Sequence, residues 1–156
     1  GVIDGVNMKT RRDILKEYSI LDYQNGWIYL SKTKNDIKLF KDVSKDGYNI
    51  KVWIKSIPAK GQLANYRGEN AASFKSTTTK QKIATQLSAY KSLCIINCKE
   101  NKLGEKSSVY YSKDGNVIHS DDDEFFNVYD MPEVVPDSIG EDILKTICEY
   151  YEKYGK

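Results

Sequence analysis

The plainest alternation of apolar and polar positions lies in Tyr48-Asn49-Ile50-Lys51-Val52-Trp53-Ile54-Lys55. A period of two predicts a β-strand with Tyr48, Ile50, Val52 and Ile54 on one face and Lys51, Trp53 and Lys55 on the other. Lys45-Asp46-Gly47 supplies a turn before it, and Pro58 a stop after it. Upstream, Gly26–Leu30 and Ile37–Phe40 read as shorter strands. Downstream, Leu87 to Cys98 reads as another. Ser108 to Tyr111 and Asn116 to His119 flank Lys113-Asp114-Gly115, and Asp-Gly between apolar runs predicts a hairpin.

The pattern then changes period. After the polar Asp121 to Glu124 and a proline-bounded extended piece from Met131 to Pro136, Ser138-Ile139-Gly140-Glu141 has the form of a capping box. Ile143, Leu144, Ile147, Cys148, Tyr151 and Tyr154 follow at spacings of three and four, one apolar stripe of a helix. Several antiparallel strands and a closing helix make the chain α+β. Residues 1–26 form an N-terminal segment of uncertain structure, in which Ile14, Leu15, Tyr18 and Leu21 have helical spacing. Residues 27–156 form one domain. Within it residues 59–82, rich in Lys, Ser, Thr and Gly, lose all periodicity and predict a flexible loop.

Composition narrows the function. The 156 residues fit a single domain with a buried core, and a mean hydropathy of −0.60 fits a soluble protein. Lys and Arg total 24 against 22 Asp and Glu, and this near balance argues against a nucleic-acid binder. Twelve tyrosines suit half-exposed strands and contact surfaces. No run of about 18 apolar residues would span a bilayer. The start of the chain lacks the apolar stretch of a signal peptide, which fits either a cytosolic chain or a mature one whose signal has been removed.

Candidate chemistry is sparse. His119 is the only histidine, with no matched nucleophile near it, so catalysis is not expected. Asp121-Asp122-Asp123-Glu124 lacks the spacing and turn glycine of an EF-hand loop and reads as a solvated acidic turn. No cofactor motif is present. Cys94 and Cys98, on one face of a strand, would lie about 13 Å apart, too far to bond each other. One histidine and three cysteines do not make a structural zinc site. Cys148, on the apolar stripe of the helix, faces the sheet. Either strand cysteine would reach it, or all three remain reduced core thiols; spacing leaves these open.

Several features in order resemble the surface-adhesin protein E family of exported bacterial proteins. These are Val52-Trp53-Ile54 with Asp42-Val43-Ser44 before it, Asn97-Cys98-Lys99, Val109-Tyr110-Tyr111 with Asp114-Gly115, and Val135–Glu141 leading into the helix with Cys148. Asn97 stands where the family usually has Asp. The resemblance implies an antiparallel sheet of about six strands packed against the C-terminal helix. It also implies a Cys98–Cys148 disulfide, leaving Cys94 free, and hence an oxidising location, the periplasm or cell surface. It implies a binding module for host matrix or serum proteins. The alternative is an envelope protein with a structural role or a partner from the same cell. The basic candidates for contact are Lys75, Lys80 and Lys82, with Lys51 and Lys55 beside Trp53 on one sheet face. A free sheet edge would also allow a homodimer. A membrane attachment would require an N-terminal anchor.

Overall fold

A computed structural model describes residues 26–155; the helical spacing from Ile14 to Leu21 lies outside them. Six strands form one antiparallel sheet in chain order: β1 (Ile28–Lys32), β2 (Asp36–Asp46), β3 (Asn49–Pro58), β4 (Leu87–Asn97), β5 (Lys102–Ser112) and β6 (Val117–Asp122). Between β3 and β4 come two helices, α1 (Leu63–Ala71) and α2 (Thr77–Gln86), and the chain closes with α3 (Ile139–Tyr154).

β3 organises the layers. Ile50, Val52 and Ile54 point to one face, where they join Leu30, Phe40, Cys94 and Ile96 beneath Ile143, Leu144 and Ile147 of α3. Ser56 continues that face, and its Oγ and carbonyl oxygen accept the Tyr66 hydroxyl of α1 at 3.2 and 2.9 Å. All three helices therefore cover the same side of the sheet, α3 over one end of β3 and the α1–α2 pair over the other. Under the pair, Tyr66, Ala71, Ile83 and Leu87 pack with Phe74, Tyr90, Tyr110 and Ile118. The opposite face carries a smaller cluster of Trp27, Ile37, Leu39 and Ile57, with Trp53 and Ala89 beside it.

Residues 59–82 are not a flexible loop. α1 and the start of α2 occupy most of them, and Ser76 caps α2 by accepting the Thr79 N–H at 3.3 Å. Their apolar stripe is thin, since only Tyr66 and Ala71 of α1 and Ile83 of α2 are buried, and Thr77-Thr78-Thr79 are poor helix formers. Tertiary packing holds these helices, as is usual for short ones. The Ser76 cap was their one clear signal in the sequence.

Two side-chain placements also differ from the alternation. Tyr48 does not share the buried face of Ile50. Asp46 pairs with Asn49 across a two-residue turn, with Gly47 at φ +63°, so Tyr48 sits at the tip. Glycine first with positive φ is the pattern of a type II′ turn, which suits the twist of a hairpin. On α3, Tyr154 turns outward and Tyr150 turns in, its ring edge-on to Phe40 at 5.1 Å. The α3 cap is as expected at Ser138, whose Oγ accepts the Glu141 N–H at 3.2 Å. Glu141 reaches back one residue further than a capping box does, to the Asp137 N–H at 3.2 Å.

β5 begins earlier than its apolar run, at Lys102, because β4 pairs with it through Asn97–Lys102. The extended piece around Pro132 lies against that start. Leu103 donates to the Pro132 carbonyl at 3.2 Å, and Val134 to that of Asn101 at 2.8 Å. Gly104 allows the crossing, because a Cβ there would stand 2.8 Å from Met131 Cγ and 2.9 Å from the Phe126 ring.

Candidate functional site

A disulfide joins Cys98, just past the end of β4, to Cys148 of α3, with Cα atoms 5.9 Å apart. Cys94 is free and buried opposite Val52. Burial, with the Glu105 charge adding to it, pushes its thiol up to about 12, so it is no nucleophile at neutral pH. The bridge ties α3 to the sheet at the end where β4 turns into β5.

The lysine and tryptophan candidates of β3 do not form one open platform. Lys51 is exposed, whereas Trp53 is half-buried against the Trp27 cluster. Lys55 is drawn over Trp27, its Nζ 5.7 Å from the ring centroid. Lys41 and Lys91 approach the same ring at 5.2 and 5.7 Å, and Lys91 also lies 5.1 Å from the Tyr111 ring. Lys55 and Lys91 are register partners, and Lys41 pairs with Trp53 one pleat away, which explains why three cations converge. The sequence reading missed Lys41, Lys91 and Trp27, because cross-strand neighbours are distant in the chain. Trp27 is itself buried, so this cluster holds the sheet face together through cation–π contacts.

Lys75, Lys80 and Lys82 lie on the other side of the sheet, since α2 packs on the face that Ser56 shares and Lys55 does not. All three are exposed. Lys82 alone of them lines a cleft of about 530 Å³. There it is joined by Arg67 of α1 and by Lys113 and Asp114 of the β5–β6 turn, with Thr85, Gln86 and Asn116 between. Arg67 Nε donates to the Leu87 carbonyl at 2.8 Å, which fixes its guanidinium at the cleft wall. Three cations from three elements thus face one carboxylate. No ion pair joins Arg67, Lys82 or Lys113 to a carboxylate among the described residues. The arrangement favours an anionic partner and supplies hydroxyl and amide groups to orient it. Arg67 and Lys113 escaped the sequence reading because the first lay in a stretch without periodicity and the second served only as a turn signal.

His119 lies on β6, its Nε2 3.0 Å from Asp121 Oδ2, and its ring meets Phe74 edge-on at 4.9 Å. The expected acidic turn is in part strand, since β6 runs through Asp121 and Asp122; beyond it Asp123 Oδ1 accepts the Phe125 N–H at 3.0 Å, so that carboxylate serves the local backbone. Among the described residues no three of His, Cys, Asp and Glu converge as metal ligands. No described helix is long and apolar enough to cross a membrane.

Comparison with curated proteins returns no match, and neither does comparison with solved structures. Residues 27–149 match the family described as Surface-adhesin protein E. That span runs from the tryptophan before β1 through all six strands to the residue after Cys148. By that match the chain belongs to the surface-adhesin protein E family.

Proposed function

We propose that this protein is an exported, non-enzymatic binding module that attaches to acidic segments of host matrix or serum proteins. The observation that carries this reading is the cleft of Arg67, Lys82 and Lys113, where positive charge from three elements is offset only by Asp114. Lys80 of α2 and Lys75 of the α1–α2 connection, both exposed, extend the positive field around it. Family membership supports the adhesive role, and the Cys98–Cys148 bridge supports export to the periplasm or cell surface, because such bridges persist in oxidising compartments. β6, one of the two sheet edges, exposes Asp121 and Asp122, whose like charges disfavour pairing of two β6 strands, so a homodimer by sheet extension would use β1, the other edge.

Purified protein passed over immobilised matrix and serum glycoproteins at low and physiological salt tests this. Binding above background that weakens with salt is expected, because the screening length of exposed charges shortens to about 8 Å at physiological salt. The Lys82→Glu/Lys113→Glu double variant should lower it about tenfold, as loss of two partly exposed contacts would. Binding indifferent to salt and to charge reversal would overturn the cleft assignment. No binding to any host glycoprotein would favour the envelope role instead.

A further inference from the structure

The face of the sheet that carries all three helices changes chemistry along its strands. Under α3 the register partners are apolar, with Val52 opposite Cys94 and Ile50 opposite Ile96. Under the α1–α2 pair one unbroken row crosses five strands, in which Lys38, Ser56, Tyr90, Tyr110 and His119 are successive partners. Every one of these side chains ends in a polar group. The next row adds Ser92, Ser108 and Asp121, and both serines are buried.

The two helical layers are therefore seated differently. α3 rests on hydrocarbon and is tied to the sheet by Cys98–Cys148, so lifting it would open an apolar core to water. α1 and α2 bury only Tyr66, Ala71 and Ile83. They meet the polar row through rings: Tyr66 stacks over Tyr90 at 6.5 Å, and Phe74 of the connection stands edge-on to Tyr110 at 5.1 Å. Hydrogen bonds hold the pair from three sides, Tyr66 to Ser56, Asn35 Nδ2 to Glu69 Oε2 at 2.7 Å, and Arg67 to the Leu87 carbonyl. Water can replace each of these bonds and rehydrate the polar row, which makes separation here far cheaper than at α3.

The geometry also gives the pair a way to move. A cleft of about 250 Å³ already runs in under the connection, between Ser73 and Phe74 above and Tyr110 and Asp121 below. The chain enters the pair through Gly61, whose φ of +74° suits glycine, and α2 passes into β4 at the buried Leu87 with no loop between. Two such element-terminal points can act as hinges. Arg67 and Lys82 travel with the pair, whereas Lys113 belongs to the β5–β6 turn, so the cationic cleft is complete only while the pair is docked.

We propose that the α1–α2 pair is a flap that lifts from the sheet as one unit while α3 and the strands stay folded, and that an anion bridging Arg67, Lys82 and Lys113 closes it. The closing step rests on the reading of that cleft as the binding site; the flap itself does not. Binding to the docked state alone shifts the population toward it by as much as the two states differ in affinity.

Native-state hydrogen exchange of the full chain, in urea below its unfolding transition, tests both parts. Amides of α1 and α2 should exchange at least about tenfold faster, relative to their intrinsic rates, than those of β3 and α3. Ile147→Val, under α3, should speed exchange in β3 about fivefold and leave α1 and α2 unchanged, because the open flap keeps α3 packed. Tyr66→Phe should speed exchange in α1 and α2 about fivefold. A hexaglutamate peptide at about ten times its Kd should slow exchange in α1 and α2 about tenfold, and Lys113→Glu should remove that protection. If Ile147→Val speeds the pair by the same factor as β3, the pair opens only with the whole domain and the flap is overturned. If the pair opens as described but hexaglutamate leaves its exchange unaltered, the flap stands, and closure by an anion falls together with the reading of the cleft.

Discussion

Lys38 Nζ lies 2.6 Å from Asp36 Oδ2, with the two side chains only 14% and 11% exposed. Ser56 Oγ donates to the same carboxylate oxygen at 2.8 Å, and Thr33 donates to the other. Burial alone would raise the Asp36 pKa, but the Lys38 charge and these donors outweigh it and hold the carboxyl below its ordinary value. Burial likewise opposes the Lys38 charge, yet Tyr90 and Asp36 raise its pKa above the ordinary lysine value. The pair sits beside Tyr66, where β2, β3 and α1 meet, so its ionisation bears on how the α1–α2 pair stays docked.

A carboxylate whose folded pKa is depressed contributes stability above its unfolded value and loses it as pH falls through the folded one. Stability should therefore decline below about pH 4, with Asp36 contributing to the fall. For Lys38 the sign is opposite: its contribution is complete below the unfolded lysine value and fades as pH rises past it. Asp36→Asn leaves Lys38 buried without its counter-charge and should cost about 3–5 kcal/mol near neutral pH. Urea denaturation from pH 2 to pH 8 reads the acid limb and the cost of the variant. The variant's acid limb should be shallower than that of the wild type, and equal slopes would remove Asp36 from the account.

Cys98 and Cys148 are 50 residues apart, and closing a loop of that length restricts the unfolded chain. Replacing both with serine should cost about 4 kcal/mol by the chain-entropy estimate. Alkylation of unreduced protein followed by peptide mapping should leave these two unlabelled. Cys94 should label only once the protein is unfolded, because its thiol is buried and protonated. Rapid labelling of Cys94 in native conditions would contradict its place under α3.

Gly104 has no room for a side chain against Met131 and Phe126. Gly104→Ala should destabilise the protein by about 1–3 kcal/mol, since the crossing segment must shift to admit the methyl group. Hydrogen exchange should show the loss first at the amides of Leu103 and Val134, whose bonds tie that segment to β5. Unchanged exchange there would mean that the segment is held by other contacts.

Tyr66 places its hydroxyl on both Ser56 oxygens in a buried setting. Tyr66→Phe keeps the ring but removes that link, and should cost about 1–2 kcal/mol in thermal or urea unfolding. Tyr48→Phe, a control of the same chemistry at an exposed turn, should be neutral within about 0.5 kcal/mol.

What the sequence by itself determined was whatever depends on short-range periodicity and local caps. The alternation of Ile50, Val52 and Ile54, the stripe of Ile143, Leu144 and Ile147, and the Asp114-Gly115 turn all appear as read. A strand or helix that buries one face writes that face into consecutive residues. The α1–α2 pair left little trace, because its two helices bury few side chains and borrow stability from Tyr90 of β4 and Tyr110 of β5. The partner of Cys148 was open on spacing and was singled out as Cys98 by family resemblance. Only the register, which puts Cys94 opposite Val52 in mid-sheet and Cys98 past the strand end, gives the physical reason. The cleft is a product of tertiary structure: Arg67, Lys82 and Lys113 come from two helices and a turn. Exposed side chains make no periodic demand on their neighbours, so only the folded sheet brings them together.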